Sequence, residues 1–147
     1  HFFIDHNRGH HVRVATFEDP ATSRFGENFY QFFPRCVIGS IKSAWEIEKR
    51  RLEKQGLSVW NWRNDNLQSW ALTAAIWGAM VAWLGWMVLP FIVVQAVYGG
   101  SLLEIVNYLE HYGLLRQKKE DGSYERCQPH HSWNSNHIVT NLFLYHL

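Results

Sequence analysis

The chain has 147 residues, the length of one domain, and a formal net charge of +1. That charge is too close to zero to indicate a nucleic-acid-binding protein, and two cysteines are too few for a secreted disulfide framework. Eight Trp, nine Phe and six Tyr are many for this length, and such residues concentrate at membrane interfaces as well as in protein cores.

Three histidines lie close together in the opening segment: His6, His10 and His11. If residues 1–12 are helical, His6 and His10 share one face and His11 lies about 100° around the helix from His10. Imidazole is the commonest metal ligand and suits iron and zinc alike. The pattern therefore predicts a metal site, the alternative being a cluster of surface histidines. Gly9 removes bulk beside this group and would let another helix approach.

The next segment is predicted to be irregular up to residue 35, with Asp19-Pro20 and Phe33-Pro34 as breakers. A surface helix is expected from Ser40 to Gln55, capped by Ser40 or Ser43. Its charged residues are predicted to form a solvated face rather than a docking patch: Glu46, Glu48, Lys49, Arg50, Arg51, Glu53 and Lys54.

Residues 66–103 carry no charge. As one straight helix they would extend roughly 57 Å, nearly twice the hydrocarbon core of a bilayer, so we expect a break at Gly85 and Pro90. Two helices follow, near 68–88 and 91–112. All 14 Lys and Arg lie outside this run, on both sides of it, which places both ends in the cytoplasm by the positive-inside rule. The alternative is a buried hairpin of a soluble protein.

The end of the second apolar helix carries a polar face formed by Glu104, Asn107 and His111, at i, i+3 and i+7. Polar residues beside a membrane span are energetically costly and usually functional. We therefore predict that His111 binds a metal and that Glu104 and Asn107 orient imidazoles by hydrogen bonds. The alternative is a polar contact between two helices.

Further candidates are polar residues next to histidines. Asp5 and Glu110 each precede a histidine, and each is expected to support a different histidine from its own neighbour, because adjacent helical residues point apart. His130, His131 and His137 lie in one polar stretch, where either hydrogen-bonding support or direct metal binding is open. The candidates for support in this stretch are His131, Asn134 and His137.

Three strings of the sequence have a known counterpart: residues 5–16 (DHNRGHHVRVAT), 107–114 (NYLEHYGL) and 131–137 (HSWNSNH). With them the chain closely resembles the bacterial membrane-bound alkane 1-monooxygenases, or alkane hydroxylases. The resemblance runs over essentially the whole chain. The string 107–114 is highly diagnostic of that family within the larger group of histidine-box membrane oxygenases and desaturases.

The resemblance implies an all-α, integral membrane helical bundle of the histidine-box di-iron type. It implies a multi-pass protein of the bacterial inner membrane with two non-haem iron ions facing the cytoplasm. The implied reaction takes electrons from rubredoxin and puts one atom of O2 on the terminal carbon of an n-alkane, giving a 1-alkanol. Membrane lipid is an expected partner, and nucleic acid is not.

By position, His6, His10 and His11 match the family's second histidine box, and His111 matches an additional ligand outside the boxes. Asp5 stands where many members have Glu. The first box is expected before this chain and the third after it, so we expect an internal fragment that is inactive alone.

The chain is predicted to be part of one domain. Residues 1–66 form a cytoplasmic segment with the second box, residues 67–112 form two membrane helices or a hairpin, and residues 113–147 form another cytoplasmic segment. An alkane has no polar handle, so we expect shape to orient it in an apolar slot. The candidates for its lining are Trp77, Leu84, Leu102, Ile105, Val106 and Leu109.

Three alternatives remain at this point. One is a related histidine-box enzyme, either a fatty-acid desaturase or a xylene-type monooxygenase. Another is a non-catalytic membrane protein that binds zinc. The third is a fragment without activity of its own.

Overall fold

The computed structural model describes residues 2–133 and residue 137. Its elements in chain order are α1 (Phe2–Asp5), a π turn (His6–His10), α2 (His11–Arg13), α3 (Phe29–Glu53), α4 (Asp65–Leu84), α5 (Val88–His111) and a 3₁₀ turn (Pro129–His131). Within this described part the only β pairing is one isolated bridge, so the predicted all-α class is confirmed.

The opening helical segment is not a regular α-helix. Between α1 and α2, the backbone N–H of His11 donates to the carbonyl of His6, five residues earlier, which is the hydrogen bond of a π turn. Gly9 lies inside this turn, and a β-carbon there would come within 3.2 Å of Ile47 Cδ1 on α3. The expected close approach of another helix at Gly9 is therefore confirmed.

Helix α3 is longer than the sequence predicted, because it begins at Phe29 and not near Ser40. Asn28 caps it: its side chain accepts from the amide of Gln31, and the Gln31 side chain accepts from the amide of Asn28. Pro34 lies inside the helix, so the prediction of an irregular segment was wrong from residue 29 to residue 35 but holds for residues 14–28. The Asn28 cap and the burial of Phe32 stabilise the first turns of α3, so the helix continues past Pro34.

The charged face predicted for α3 is not uniformly solvated. Glu48 is 0% exposed and accepts hydrogen bonds from Arg8 at 3.1 Å, from Arg51 at 2.6 and 2.9 Å, and from the Asp65 amide at 2.9 Å. Burial alone would raise its pKa, but these hydrogen bonds and the two guanidinium charges hold the pKa of Glu48 below its ordinary value. Glu48 thus ties α3 to the π turn and to the start of α4.

Helices α4 and α5 are both long and apolar enough to cross a membrane. In the most apolar 18-residue stretch of each helix, 0% of α4 and 11% of α5 is buried. The core helices of a soluble protein would be mostly buried. The break between them is at Gly85, whose φ of 83° is left-handed and suits glycine. Pro90 lies in the first turn of α5, where a missing N–H costs no hydrogen bond. Of the two predicted breakers, only Gly85 acts as one.

The loop between α2 and α3 is fastened to the last turns of α5. Ser23 Oγ donates to the carbonyl of Tyr108 at 2.6 Å, and the Tyr108 hydroxyl donates to the carbonyl of Glu27 at 2.6 Å. Beneath these bonds Ala21, Phe32 and Cys36 form a buried apolar cluster against which Tyr108 packs. This arrangement fixes the end of α5 beside the opening segment.

After α5 the chain forms a tight turn at Asp121-Gly122. Lys118 and Tyr124 pair in the isolated antiparallel bridge, and Gly122 has a φ of 81°. The amide of Arg116 donates to the carbonyl of Ala15 at 2.7 Å, which docks this hairpin (residues 116–126) on the loop that follows α2.

Candidate metal centre

Four histidine rings from two distant parts of the chain come together. The ring of His6 lies 5.4 Å from that of His10 and 4.6 Å from that of His11, measured between centroids. The ring of His111, at the end of α5, lies 4.9 Å from that of His10. We call these four residues the histidine cluster. The geometry therefore joins the opening motif and the polar end of the second apolar helix.

The π turn accounts for the placement of His11. In a regular α-helix His6 and His11 would lie about 140° apart, at roughly 100° per residue. The i→i+5 hydrogen bond aligns these two positions instead, and their rings meet edge to face. The sequence prediction placed only His6 and His10 on one face, because it assumed α-helical geometry.

His10 is held by a carboxylate that the sequence reasoning missed. Its Nδ1 lies 2.8 Å from Asp19 Oδ2, and both side chains are buried. Asp19 also accepts from Thr22 Oγ1 at 2.6 Å. Burial alone would raise the pKa of Asp19, but its hydrogen bonds with His10, Thr22 and the Ala21 amide hold that pKa below the ordinary value. With Nδ1 engaged, Nε2 is the nitrogen of His10 that remains for a metal.

The electrostatics of the cluster favour neutral imidazoles at His6 and His11. Burial lowers the pKa of His6 to about 4, and the nearby charges of His10 and His11 add to the effect while Asp19 opposes it. The pKa of His11 is lowered for the same leading reason. A neutral imidazole has a free lone pair, which is the form that binds a metal.

His111 has an open nitrogen. Its Nδ1 is buried and has no hydrogen-bond partner within residues 2–133. A buried polar atom without a partner is costly unless some other group satisfies it. A metal ion shared with His10 is a chemically suitable group.

A small cavity beside the cluster is lined by His6, His10 and several acidic or amide side chains, namely Asp5, Glu104 and Asn107 among others. Glu104 accepts from the Cys36 thiol at 2.8 Å and from Asn107 Nδ2 at 3.3 Å. Asp5 pairs with Arg13 at 3.4 Å. These three residues lie beside the histidines, but their hydrogen bonds within the described residues run to one another, to Cys36 and to Arg13.

The remaining candidates for support are Glu110, His131, Asn134 and His137. Glu110 is half-buried, and its carbonyl accepts from the Trp133 amide at 2.8 Å. His131 is buried, with its Nε2 3.2 Å from Glu125 Oε1. His137 is exposed. Asn134 lies outside the described residues.

The candidates for the substrate slot lie on the two apolar helices. Trp77 and Val106 are half-buried. The others are exposed in the described part of the chain: Leu84, Leu102, Ile105 and Leu109. Exposed apolar residues on such helices are available to lipid, to substrate or to a neighbouring helix.

Two helices of membrane-spanning length, with His111 at the end of the second one packed against His10 in the group of three histidines of the opening segment, define a histidine-cluster membrane protein. The whole chain, residues 1–147, matches the family described as fatty acid desaturase. The chain belongs to that family.

Among curated proteins, the chain is 56% identical over 147 residues to an alkane 1-monooxygenase of Acinetobacter baylyi, covering 100% of this chain and 36% of that protein. It is 51% identical to an alkane 1-monooxygenase of Pseudomonas putida, covering 100% and 37%. Over 135 residues it is 33% identical to the hydroxylase component of a xylene/toluene monooxygenase of Pseudomonas putida, covering 89% and 34%. The chain thus spans little more than a third of the length of these relatives.

Proposed function

We propose that the protein containing this chain is a membrane monooxygenase that hydroxylates the terminal carbon of medium- or long-chain n-alkanes at a non-haem di-iron centre. The observation that carries the proposal is the histidine cluster, with the unpartnered Nδ1 of His111 beside His10. The relatives named alkane 1-monooxygenase support the choice of substrate and reaction.

The cluster's donor atoms fit iron. His6, His10, His11 and His111 offer imidazole nitrogens, which suit ferrous iron, and the lowered pKa of His6 keeps its ring unprotonated at neutral pH. Asp19 fixes His10 as the tautomer that carries its proton on Nδ1. Further ligands for two irons would come from outside this set of four.

The overall reaction consumes an alkane, O2, two electrons and two protons, and gives a 1-alkanol and water. Bound iron would supply the electron-transfer steps by which O2 is activated. The chain's own contribution is to hold neutral imidazoles in place and to keep a buried polar wall beside them, formed by Asp5, Glu104 and Asn107. Their burial limits the access of bulk water to the centre.

Shape would select the terminal carbon. Ile105 and Leu102 lie six and nine residues before His111, or roughly 9 and 13.5 Å along the helix axis. Both side chains are exposed and apolar, and we propose that an alkyl chain lies along α5 with its end at the histidine cluster. The slot lined by these residues, together with Trp77, Leu84, Val106 and Leu109, stays a prediction.

The membrane setting supports the remaining elements of the proposal. Basic residues flank the apolar helices on both sides, which favours a cytoplasmic position for both ends and for the cluster in a bacterial inner membrane. Electrons would then arrive from a soluble donor, which we propose to be rubredoxin.

The test is a product assay on the full-length protein in membranes, supplied with octane or hexadecane, rubredoxin, its reductase, NADH and iron. We expect 1-alkanol by mass spectrometry from the wild type and none from His111→Ala. Tyr98→Ala is the matched control, because Tyr98 is an exposed aromatic on the same helix, and it should retain activity. Absence of alkanol from the wild type would contradict the proposal.

The second candidate is hydroxylation of a methyl group on an aromatic ring, as the similarity to a xylene/toluene monooxygenase component suggests. The same assay with xylene distinguishes the two, because it would yield a benzylic alcohol. A desaturase would instead give an unsaturated product, and a non-catalytic zinc protein would bind metal without consuming O2.

A further inference from the structure

We propose that Glu125, His130 and His131 form a second divalent-cation site, separate from the histidine cluster. One ligand atom from each residue can be chosen so that all three lie within 4.8 Å of one another. Two of the residues belong to the 3₁₀ turn at Pro129–His131, and Glu125 belongs to the hairpin before it. A cation here would join these two segments.

His131 is already oriented for such a site. Its ring is 3% exposed, and its Nδ1 accepts the backbone N–H of Gln128 at 2.9 Å. Nδ1 therefore carries no proton, and Nε2, 3.2 Å from Glu125 Oε1, carries it. A cation would replace that proton on Nε2, and the lost N–H···O contact would become a shared bond to the metal.

Glu125 is also held from a second direction. Its Oε1 accepts the backbone N–H of Gln117 at 2.8 Å, and hydrogen bonds keep the pKa of Glu125 below its ordinary value. The carboxylate is thus ionised at neutral pH and positioned by the backbone across the hairpin. A fixed, ionised carboxylate lowers the cost of assembling a metal site.

His130 supplies the third donor and the route from solvent. Its ring centroid lies 4.0 Å from that of His131, and its side chain is exposed. Residues Gly113, Leu114 and Leu115 line the open cleft around the three donors. Two imidazoles and one carboxylate are a donor set for Zn²⁺ or for another first-row divalent metal, with water at the remaining position.

The site lies next to the end of α5 but uses none of its histidines. The Trp133 amide donates to the carbonyl of Glu110 at 2.8 Å, and Trp133 Nε1 donates to the carbonyl of Tyr112 at 3.0 Å. A cation at the second site would therefore brace the hairpin and the 3₁₀ turn against the residues that flank His111. Its role is structural support of the neighbouring metal centre.

The test uses the full-length protein, purified in detergent, stripped with a chelator and equilibrated with Zn²⁺. Bound zinc per chain is measured by inductively coupled plasma mass spectrometry. We expect His130→Ala and Glu125→Gln each to bind one zinc fewer than the wild type. Glu120→Gln, an exposed acid of the same hairpin, is the matched control and should bind as much zinc as the wild type.

Two further measurements separate this site from the histidine cluster. In a His6→Ala/His11→Ala background the zinc that depends on His130 should remain. Zn²⁺ should also slow tryptic cleavage after Lys118, Lys119 and Arg126, all exposed in the hairpin region, and this protection should vanish in His130→Ala. Equal zinc content in the wild type, His130→Ala and Glu125→Gln would overturn the proposal, as would loss of the same zinc in the His6→Ala/His11→Ala protein.

Discussion

The Nδ1–H of His10 donates a hydrogen bond to Asp19 Oδ2, 2.8 Å away, and both side chains are almost completely buried. Asp19 is fixed in turn by the Thr22 hydroxyl at 2.6 Å, and Thr22 accepts the amide of Ala15 at 2.9 Å. These hydrogen bonds fix the orientation of the His10 ring and leave its Nε2 free to bind a metal.

Asp19→Asn should weaken iron binding by about 10- to 100-fold, the usual effect of removing the partner of a metal-binding histidine. The amide cannot accept as a charged oxygen, so the ring of His10 loses its preferred tautomer. Iron content after dialysis measures the effect. Glu18→Gln is the control, since Glu18 is an exposed carboxylate next to Asp19 in the sequence. Unchanged iron retention in Asp19→Asn would contradict the role of Asp19.

Glu48→Gln should destabilise the fold by about 2 kcal/mol at neutral pH, because it removes a buried charge that accepts hydrogen bonds from two arginines. The folded-state pKa of Glu48 lies below its ordinary value of 4.5. Its ionised form therefore stabilises the fold above pH 4.5, and this contribution is lost as the pH falls through the folded-state pKa.

The measurement is the difference in unfolding midpoint between the wild type and Glu48→Gln, recorded from pH 7 down to pH 3. The difference should shrink on acidification. Glu46→Gln is the matched control, because Glu46 is an exposed carboxylate on the same helix and should leave the midpoint unchanged. A difference that stays constant with pH would disprove the titration argument.

Gly9→Ala should cost about 1–3 kcal/mol, because an added methyl group must displace closely packed neighbours. The new β-carbon would collide with the Asp5 carboxylate, lie 2.7 Å from Arg13 Nη2 and press on Ile47. The thermal unfolding midpoint and the iron content report the effect. Gly78→Ala adds the same methyl group where nothing lies within 4 Å, and it should change neither quantity.

Ile105→Trp should shift substrate preference toward shorter alkanes, by about 10-fold or more between two chain lengths, because a bulky ring would block the slot beyond it. Competition between octane and hexadecane, scored by the ratio of the two alcohols, measures the shift. Val94→Trp places the same ring on an exposed position of α5 roughly 25 Å before His111. An unchanged ratio in Ile105→Trp would remove Ile105 from the proposed slot.

The apolar helices could be predicted from the sequence because their signal is local. An uncharged run of that length permits few structures, and Gly85 marked the turn within it. The start of α3 could not be predicted from the sequence, because Pro34 locally disfavours a helix. The Asn28–Gln31 cap and the packing of Phe32 outweigh that preference in the folded chain. Tertiary packing decided that boundary.

The candidate site was predicted in part for a similar reason. The histidines of the cluster were found because their spacing is visible in the sequence. Asp19 was missed, because no sequence pattern predicts that a carboxylate in a loop beside a proline will contact His10. Glu48 was placed on a solvated face because a buried charge with two arginine partners cannot be told from a surface charge by periodicity.

The π turn gives the histidine spacing a different meaning. In an α-helix, residues at i, i+3 and i+4 share one face, so a spacing one residue shorter than that of His6, His10 and His11 would already align three rings. The observed spacing corresponds to that arrangement with one residue inserted, and the wider turn accommodates the insertion. A deletion of Asn7 would therefore return the segment to α-helix with its three imidazoles still side by side, so the ring arrangement does not depend on one fixed count of intervening residues.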